Sequence, residues 1–301
     1  MQRQSIEALY LKWAAFINAS PKTVESYTRA VRVFVNYCKD NNLDSLDLIG
    51  RNEIVQYKMY LAKTHKPATV NAYLAGVREL YKWLSIEGII DKDIAKTVKG
   101  EKTSREHKKE YLTVKQIKAL LDTCDTSTEA GQRDYAILTL MITGGLRTIE
   151  VIRADVGDLK TYGDNTALFV QGKGRTEKND AVIISAEQER ILREYIAARK
   201  ASPQEPLFIS QSNRNGNGRL TTRSISRLVK EHLIQAGIDD ERYTAHSLRH
   251  TAITQALIGG ASLQEAQQFA RHIDINTTLI YAHNLDKQNN KCSRIITGAI
   301  F

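Results

Sequence analysis

Four short stretches in the second half of the chain concentrate side chains that can carry chemistry. In TGGLRTIEV, Arg147 and Glu150 stand three residues apart, so on a helix they share a face and can pair. Lys173 lies in the polar segment QGKGRTEKND, between Gly172 and Gly174, whose missing side chains let backbone approach a ligand closely. HSLRHTAI sets His246 and Arg249 at an i, i+3 spacing that presents imidazole and guanidinium on one helix face, with His250 about 100° away as a structural partner. FARHIDINTTLIYAH carries His272 and, nine residues on, Tyr281. Each stretch alone also has a plain reading. An Arg–Glu pair decorates many surfaces, a loop lysine is usually solvated, and a tyrosine in an apolar run usually packs in a core. His246 and His250 have a metal-ligand spacing, but the glutamate of an H-E-x-x-H site is missing, so no metal is expected.

Composition narrows the class. The chain has 301 residues, enough for two domains, with 42% hydrophobic and 26% charged residues. Lys and Arg number 43 against 34 Asp and Glu, a formal charge of +9 that favours a polyanionic partner, nucleic acid before anionic membrane. No apolar run approaches the roughly 18 residues of a membrane span. The N-terminal stretch, broken by Glu7, Lys12 and Asn18, reads as an amphipathic helix and not a secretion signal. Cys38, Cys124 and Cys292 are scattered and odd in number, which fits a reducing compartment; a soluble cytoplasmic protein is expected. No phosphate-binding G-x-x-x-x-G-K-[ST] loop occurs, so nothing points to nucleotide hydrolysis.

The elements that must position these groups fall into two parts. Residues 1–98 read as a bundle of about four helices. Ser20-Pro21 starts one, with Val24, Tyr27, Val31, Phe34, Val35 and Cys38 along a face; Ile54, Tyr57 and Leu61 mark a second; Val70 to Leu84, after Pro67, marks a third that stops at Gly88. Residues 99–110, KGEKTSREHKKE with Lys99 at its start, lack periodicity and read as a basic linker. Residues 111–301 read as mainly helical with a small sheet. Helices are expected at 113–123, 131–143, 186–200 and 222–236, and a hairpin joins strands at 166–170 and 181–185. A helical tail from Tyr243 to Ala282 is broken at Gly259-Gly260, with a capping box at Ser262 and Glu265. Leu248, Ile253 and Leu257 would fix the histidine-bearing helix in the core.

Taken in order, Arg, hairpin Lys, His-x-x-Arg, His and a Tyr nine residues later, the set resembles the tyrosine recombinases, the family of phage and transposon integrases and Xer-type resolving enzymes. GGLRTIE is similar to T-G-L-R-x-x-E, His246–His250 to H-x-L-R-H, and ARHIDINTTLIYAH to the L-G-H…T-x-x-Y-x-H tail. The resemblance covers the whole chain. It implies a SAM-like helical core-binding domain over 1–98 and a mixed α/β catalytic domain over 111–301, mainly α with a small antiparallel β-sheet. Two departures stand out: Gly144 where threonine is frequent, and Ala270-Arg271 in place of Leu-Gly, which would put Arg271 on phosphate or in solvent.

The resemblance also implies the chemistry. Arg147 and Arg249 would grip the non-bridging oxygens of a DNA phosphate, and Tyr281 would attack phosphorus to give a 3′-phosphotyrosyl link. Lys173 would protonate the 5′-hydroxyl leaving group, His246 and His272 would donate to phosphate oxygens, and His246 is also a candidate acceptor of the Tyr281 proton. Glu150 would orient Arg147 or a histidine. No cofactor, metal or ATP is called for. The partner would be double-stranded DNA, clamped between the two domains and held mainly through phosphates. Lys66, Asn71, Arg78 and Lys82 on the third helix and Arg219, Arg223 and Arg227 near the 222–236 helix are candidate contacts. A tetramer on DNA is implied, with 284–301, including Ile295, Ile296, Ile300 and Phe301, docking on a neighbour. The chain begins directly with the bundle, which favours a simple-site enzyme, and a mobile-element integrase is the leading expectation. The alternatives are an Xer-type dimer resolvase, a type IB-like topoisomerase and a catalytically silent DNA-binding accessory protein.

Overall fold

The computed structural model describes residues 5–43, 45, 48–103, 110–172, 174–211, 216, 218–288 and 292–300. The chain divides into two compact units, 1–106 and 107–301, each with its own apolar core.

The first unit is helical. It comprises α1 (Ile6–Ala15), α2 (Pro21–Asp40), α3 (Arg51–Ala62) and α4 (Pro67–Ile86). α2 opens as its sequence demands, with Pro21 in the first turn and the Ser20 hydroxyl accepting from the Thr23 N–H. Its stripe of Val31, Phe34, Val35 and Cys38 is buried, and so are Ile54, Tyr57 and Leu61 of α3 and Val70, Leu74, Val77, Tyr81 and Leu84 of α4. α2 and α4 cross closely because Gly76 has no side chain: a Cβ there would lie 2.6 Å from that of Ala30 and 3.1 Å from the Tyr27 carbonyl.

The second unit packs helices and a small sheet around its apolar core. α5 (Val114–Leu121) and α6 (Glu129–Thr143) lead to a tight turn and the short α7 (Thr148–Arg153). β1 (Leu159–Tyr162), β2 (Asn165–Val170) and β3 (Asp180–Ile184) form an antiparallel sheet in the order β1-β2-β3, with Leu168 opposite Val182. α8 (Ala186–Ala198), α9 (Thr222–Gln235), α10 (Ala245–Ile258), α11 (Leu263–Ala270), α12 (Asn276–Gln288) and α13 (Cys292–Ile300) complete it. The expected hairpin is β2–β3, and the capping box at Ser262 and Glu265 is formed by Ser262 N–H to Glu265 Oε2, 2.7 Å, and Glu265 N–H to Ser262 Oγ, 3.2 Å. β1 and α7 add to the expected elements. No described helix is long and apolar enough to cross a membrane.

α10 is the pivot. Ala245 and Ser247 through Thr254 are all buried, so its polar groups must be satisfied inside the protein. Thr251 Oγ1 donates to the Ser247 carbonyl and accepts from the Leu112 N–H, 2.9 Å, while Ser247 Oγ donates to the Arg242 carbonyl. A separate small cluster of Ile253, Ala266, Ala270 and Tyr281 joins α10 to α11 and α12.

Candidate active site

The site starts at the turn after α6. Gly145 lies at φ +57°, and a Cβ there would press to 2.9 Å from the Phe269 ring, so this position needs glycine twice over. At Gly144 a Cβ would meet Leu146 Cδ1 at 2.7 Å and the Leu140 carbonyl at 2.9 Å, which explains locally why this chain lacks the frequent threonine. The turn delivers Arg147 to the N-terminus of α7, where the Glu150 carboxylate accepts from the Arg147 N–H at 2.8 Å (Oε2) and from its Nη1 at 2.6 Å (Oε1). Glu150 is fully buried, whereas the Arg147 side chain keeps 26% of its surface exposed.

Arg249 comes from α10 and is 1% exposed. Its Nη1 donates to the Gly145 carbonyl and its Nη2 to the Ala270 carbonyl, which tie α10 to the turn and to the end of α11. Its Nη1 is also 4.0 Å from Glu150 Oε2. Burial, with Arg147 and Arg271 close by, pulls this guanidinium down to about 9, which leaves it protonated at neutral pH. Burial alone would raise the Glu150 carboxyl, but the charges of Arg271 and Arg147 and the Arg147 N–H overcome it and hold the group below its ordinary value.

His272 follows α11. Its Nδ1 is 2.9 Å from Oγ1 of the fully buried Thr278, which fixes the ring. Burial and the charges of Arg249, Arg147, Arg271 and His246 push the imidazole down to about 4, so it is neutral at physiological pH. Tyr281 on α12 is 3% exposed, its ring 4.6 Å from that of His250 and 6.2 Å from that of His272. Burial raises its phenol, while Arg249 and Arg147 pull in the opposite sense. His250 is buried, bonded through Nδ1 to Thr254 Oγ1 at 3.2 Å and stacked on Tyr111 at 6.3 Å. Tyr111 and Thr278 join the site without having been singled out in the sequence; Thr278 had a signal, its place in T-x-x-Y, and Tyr111 had none.

The fold thus brings Arg147, Glu150, Arg249, His250, His272 and Tyr281 together. His246 is exposed one turn before Arg249, so the pair expected on one face is split into an exposed imidazole and a buried guanidinium. Lys173 lies outside the described residues, as do 104–109 of the linker and Phe301. The base of the β2–β3 loop is tied down by Lys178, which bonds Asp155 at 2.6 Å and also Asp158, and by Arg153, which donates to the Gly172 carbonyl.

Arg271 does not face solvent: its side chain is 8% exposed and bonds Glu150 Oε2 at 2.9 Å. Its partner lies 121 residues earlier, too far along the chain for the pairing to be read from the sequence. Among the candidate DNA contacts, three side chains hold the protein to itself. Asn71 donates to the Glu101 carbonyl and accepts from its N–H, Arg78 donates to the Val98 carbonyl, and Arg219 pairs with Asp155 and the carbonyls of Ile152 and Ala154. Lys66, Lys82, Arg223 and Arg227 are exposed, Lys82 near Glu79 and Arg227 near Glu231.

Two fixed guanidiniums, a neutral imidazole and a buried phenol in one place make a site suited to a phosphate and an oxygen nucleophile. Comparison with known proteins points the same way. Residues 110–288 match the Phage integrase family, and residues 9–89 match the Phage integrase, N-terminal SAM-like domain. The chain is 31% identical over 272 residues to tyrosine recombinase XerC of Myxococcus xanthus, covering 87% of each chain. It is 29% identical over 269 residues to tyrosine recombinase XerD of Listeria innocua serovar 6a, covering 88% of each. Its fold is that of the XerH site-specific recombinase in a post-cleavage complex with a palindromic difH substrate, at a TM-score of 0.76 and 20% identity over 91% of this chain and 80% of that one. With this site and a family match over more than half its length, the chain belongs to the tyrosine recombinases and is a site-specific recombinase of DNA.

Proposed function

We propose that this recombinase cuts and rejoins DNA strands through Tyr281. The observation that carries the reading is the packing of Tyr281 between His250 and His272 in the field of Arg249 and Arg147. A phosphodiester repels nucleophiles by its own charge, so fixed cations must hold it. Arg147 and Arg249 bind the non-bridging oxygens and stabilise the added charge of the pentacovalent transition state. The Tyr281 oxygen attacks phosphorus, the P–O5′ bond breaks, and a 3′-phosphotyrosyl link and a 5′-hydroxyl result. Lys173, assigned from the sequence pattern, supplies the proton to that hydroxyl. His246 takes the Tyr281 proton, and neutral His272 donates a hydrogen bond to phosphate. Because the link keeps the phosphodiester's energy, a 5′-hydroxyl from another strand reverses the attack and joins the new partner.

Four such sites on two duplexes would complete an exchange, so the working form is a tetramer on DNA. The exposed Ile295, Ile296 and Ile300 of α13 are suited to dock on a neighbouring copy. Removing 290–301 then abolishes cooperative assembly while binding by a single protomer survives. Of the candidate contacts, the exposed Lys66, Lys82, Arg223 and Arg227 are suited to phosphates. Relatives matching 87% and 88% of the chain include XerC and XerD, which favours an Xer-type dimer-resolving role over a mobile-element integrase.

A covalent-trapping assay tests the chemistry. Nicked duplexes tiled from DNA flanking the gene and from the rest of the genome are incubated with protein and resolved on a denaturing gel. A shifted band in wild type that is absent in Tyr281→Phe, with DNA binding retained, supports the reading; an adduct that persists in Tyr281→Phe refutes it. Trapping confined to flanking DNA would favour the integrase role, and trapping at a distant chromosomal site the Xer-type role.

A further inference from the structure

Arg271 occupies a place that an arginine does not enter easily. Its backbone is left-handed, φ 52° and ψ 46°, at the C-terminal end of α11, a conformation that glycine adopts freely and an L side chain resists. Its side chain is nonetheless drawn inward, and its Nε is buried without a hydrogen-bond partner among the described residues. A strained backbone and an unsatisfied donor persist only when the surroundings hold the residue there.

The surroundings are specific. Nη2 donates to Glu150 Oε2 at 2.9 Å and to the Gly145 carbonyl at 3.2 Å, while Nη1 donates to the Phe269 carbonyl at 2.8 Å and the Gly144 carbonyl at 3.4 Å. The Arg271 carbonyl in turn accepts from Arg147 Nη2 at 3.4 Å. Two of these acceptors are shared. Glu150 Oε2 also receives the Arg147 N–H, and the Gly145 carbonyl also receives Arg249 Nη1. One side chain therefore binds the carboxylate that orients Arg147 and the turn that joins Arg147 to Arg249. By occupying Oε2 it leaves Oε1 to Arg147 Nη1.

We propose that Arg271 is a positioning residue that locks Glu150 and the 144–145 turn, and so sets the Arg147 and Arg249 guanidiniums for the transition state. This rests on the reading that those two arginines hold the scissile phosphate. A forked guanidinium is required, since the ammonium of a lysine is a single point and cannot span a carboxylate and the carbonyls on either side of it.

The experiment compares wild type, Arg271→Gly and Arg271→Lys as full-length proteins on a nicked duplex that wild type cleaves, with binding and covalent-adduct formation measured separately. Glycine accepts the left-handed backbone, so α11 can end as it does in wild type, and a thermal melt checks that the variant is folded at the assay temperature. Misplaced catalytic groups cost up to about 100-fold, so Arg271→Gly should slow adduct formation by ~10-fold or more while the dissociation constant changes by less than about twofold. Arg271→Lys should recover only part of the rate. An unchanged rate in Arg271→Gly, a loss wholly in binding, or full recovery in Arg271→Lys would overturn the proposal. Failure of the underlying reading looks different: Arg147→Ala would then cleave normally. A second readout needs no substrate. In 15N-arginine spectra, the Arg147 side-chain signal should shift or broaden in Arg271→Gly, and an unmoved signal would equally overturn the role.

Discussion

Replacing Glu150 by glutamine tests the electrostatic centre of the site. Three guanidiniums, Arg147, Arg249 and Arg271, face this one carboxylate among the described residues, so the cluster carries a net +2, and Glu150→Gln would make it +3. The amide cannot reproduce the contacts either. Oε2 accepts from the Arg147 N–H and Arg271 Nη2, and Oε1 from Arg147 Nη1, so either orientation of the amide sets an N–H against a donor. Removing one partner of a buried ion pair costs about 3–5 kcal/mol, and the expected loss lies in that range. The assay is urea unfolding followed by two probes. Both tryptophans, Trp13 and Trp83, lie in the first unit, so their fluorescence reports that bundle, whereas circular dichroism reports both units. In Glu150→Gln the circular dichroism transition should begin earlier while the tryptophan transition stays in place. The pH dependence adds a check. Because the folded carboxyl lies below its ordinary 4.5, wild type holds this stabilisation above pH 4.5 and loses it as pH falls through the lowered value. The gap between the proteins should therefore close on acidification. A loss under about 1 kcal/mol at neutral pH would refute the view that the carboxylate holds the arginines together.

His232 provides a test at the alkaline end. Its Nε2 is 3.3 Å from Asp134 Oδ2 and its Nδ1 2.7 Å from Thr123 Oγ1, and the bond to Asp134 leads the contributions that raise it from 6.5 to about 9. Its stabilisation is complete below pH 6.5 and lost as pH rises through 9; unfolding of wild type against His232→Phe should show a gap on the order of 2–3 kcal/mol that disappears by about pH 10. Gly144→Thr, which restores the residue frequent in the family, should destabilise by about 1–3 kcal/mol, because the added Cβ meets Leu146 and the Leu140 carbonyl. Thermal melts check this, and a neutral result would mean that the α6 turn yields.

How much of this was legible beforehand depended on how far each residue's partner lies along the chain. The helical face of Val31, Phe34 and Cys38, the Ser20-Pro21 start and the Ser262–Glu265 cap are local patterns, and the structure reproduces them. So is the Arg147–Glu150 pair, three residues apart. β1 escaped because its four residues LKTY are mostly exposed and carry no alternation to read. Asn71, Arg78 and Arg219 read as surface groups because their acceptors are mainly backbone carbonyls, which have no identity in a sequence. Arg271 shows the limit most clearly. As a departure from the Leu-Gly pattern it is expected on phosphate or in solvent, and only the fold brings Glu150 to it across 121 residues. A family pattern thus identifies the groups that meet the phosphate more readily than the groups that hold them, because the first are set by the chemistry and the second by the packing of one particular chain.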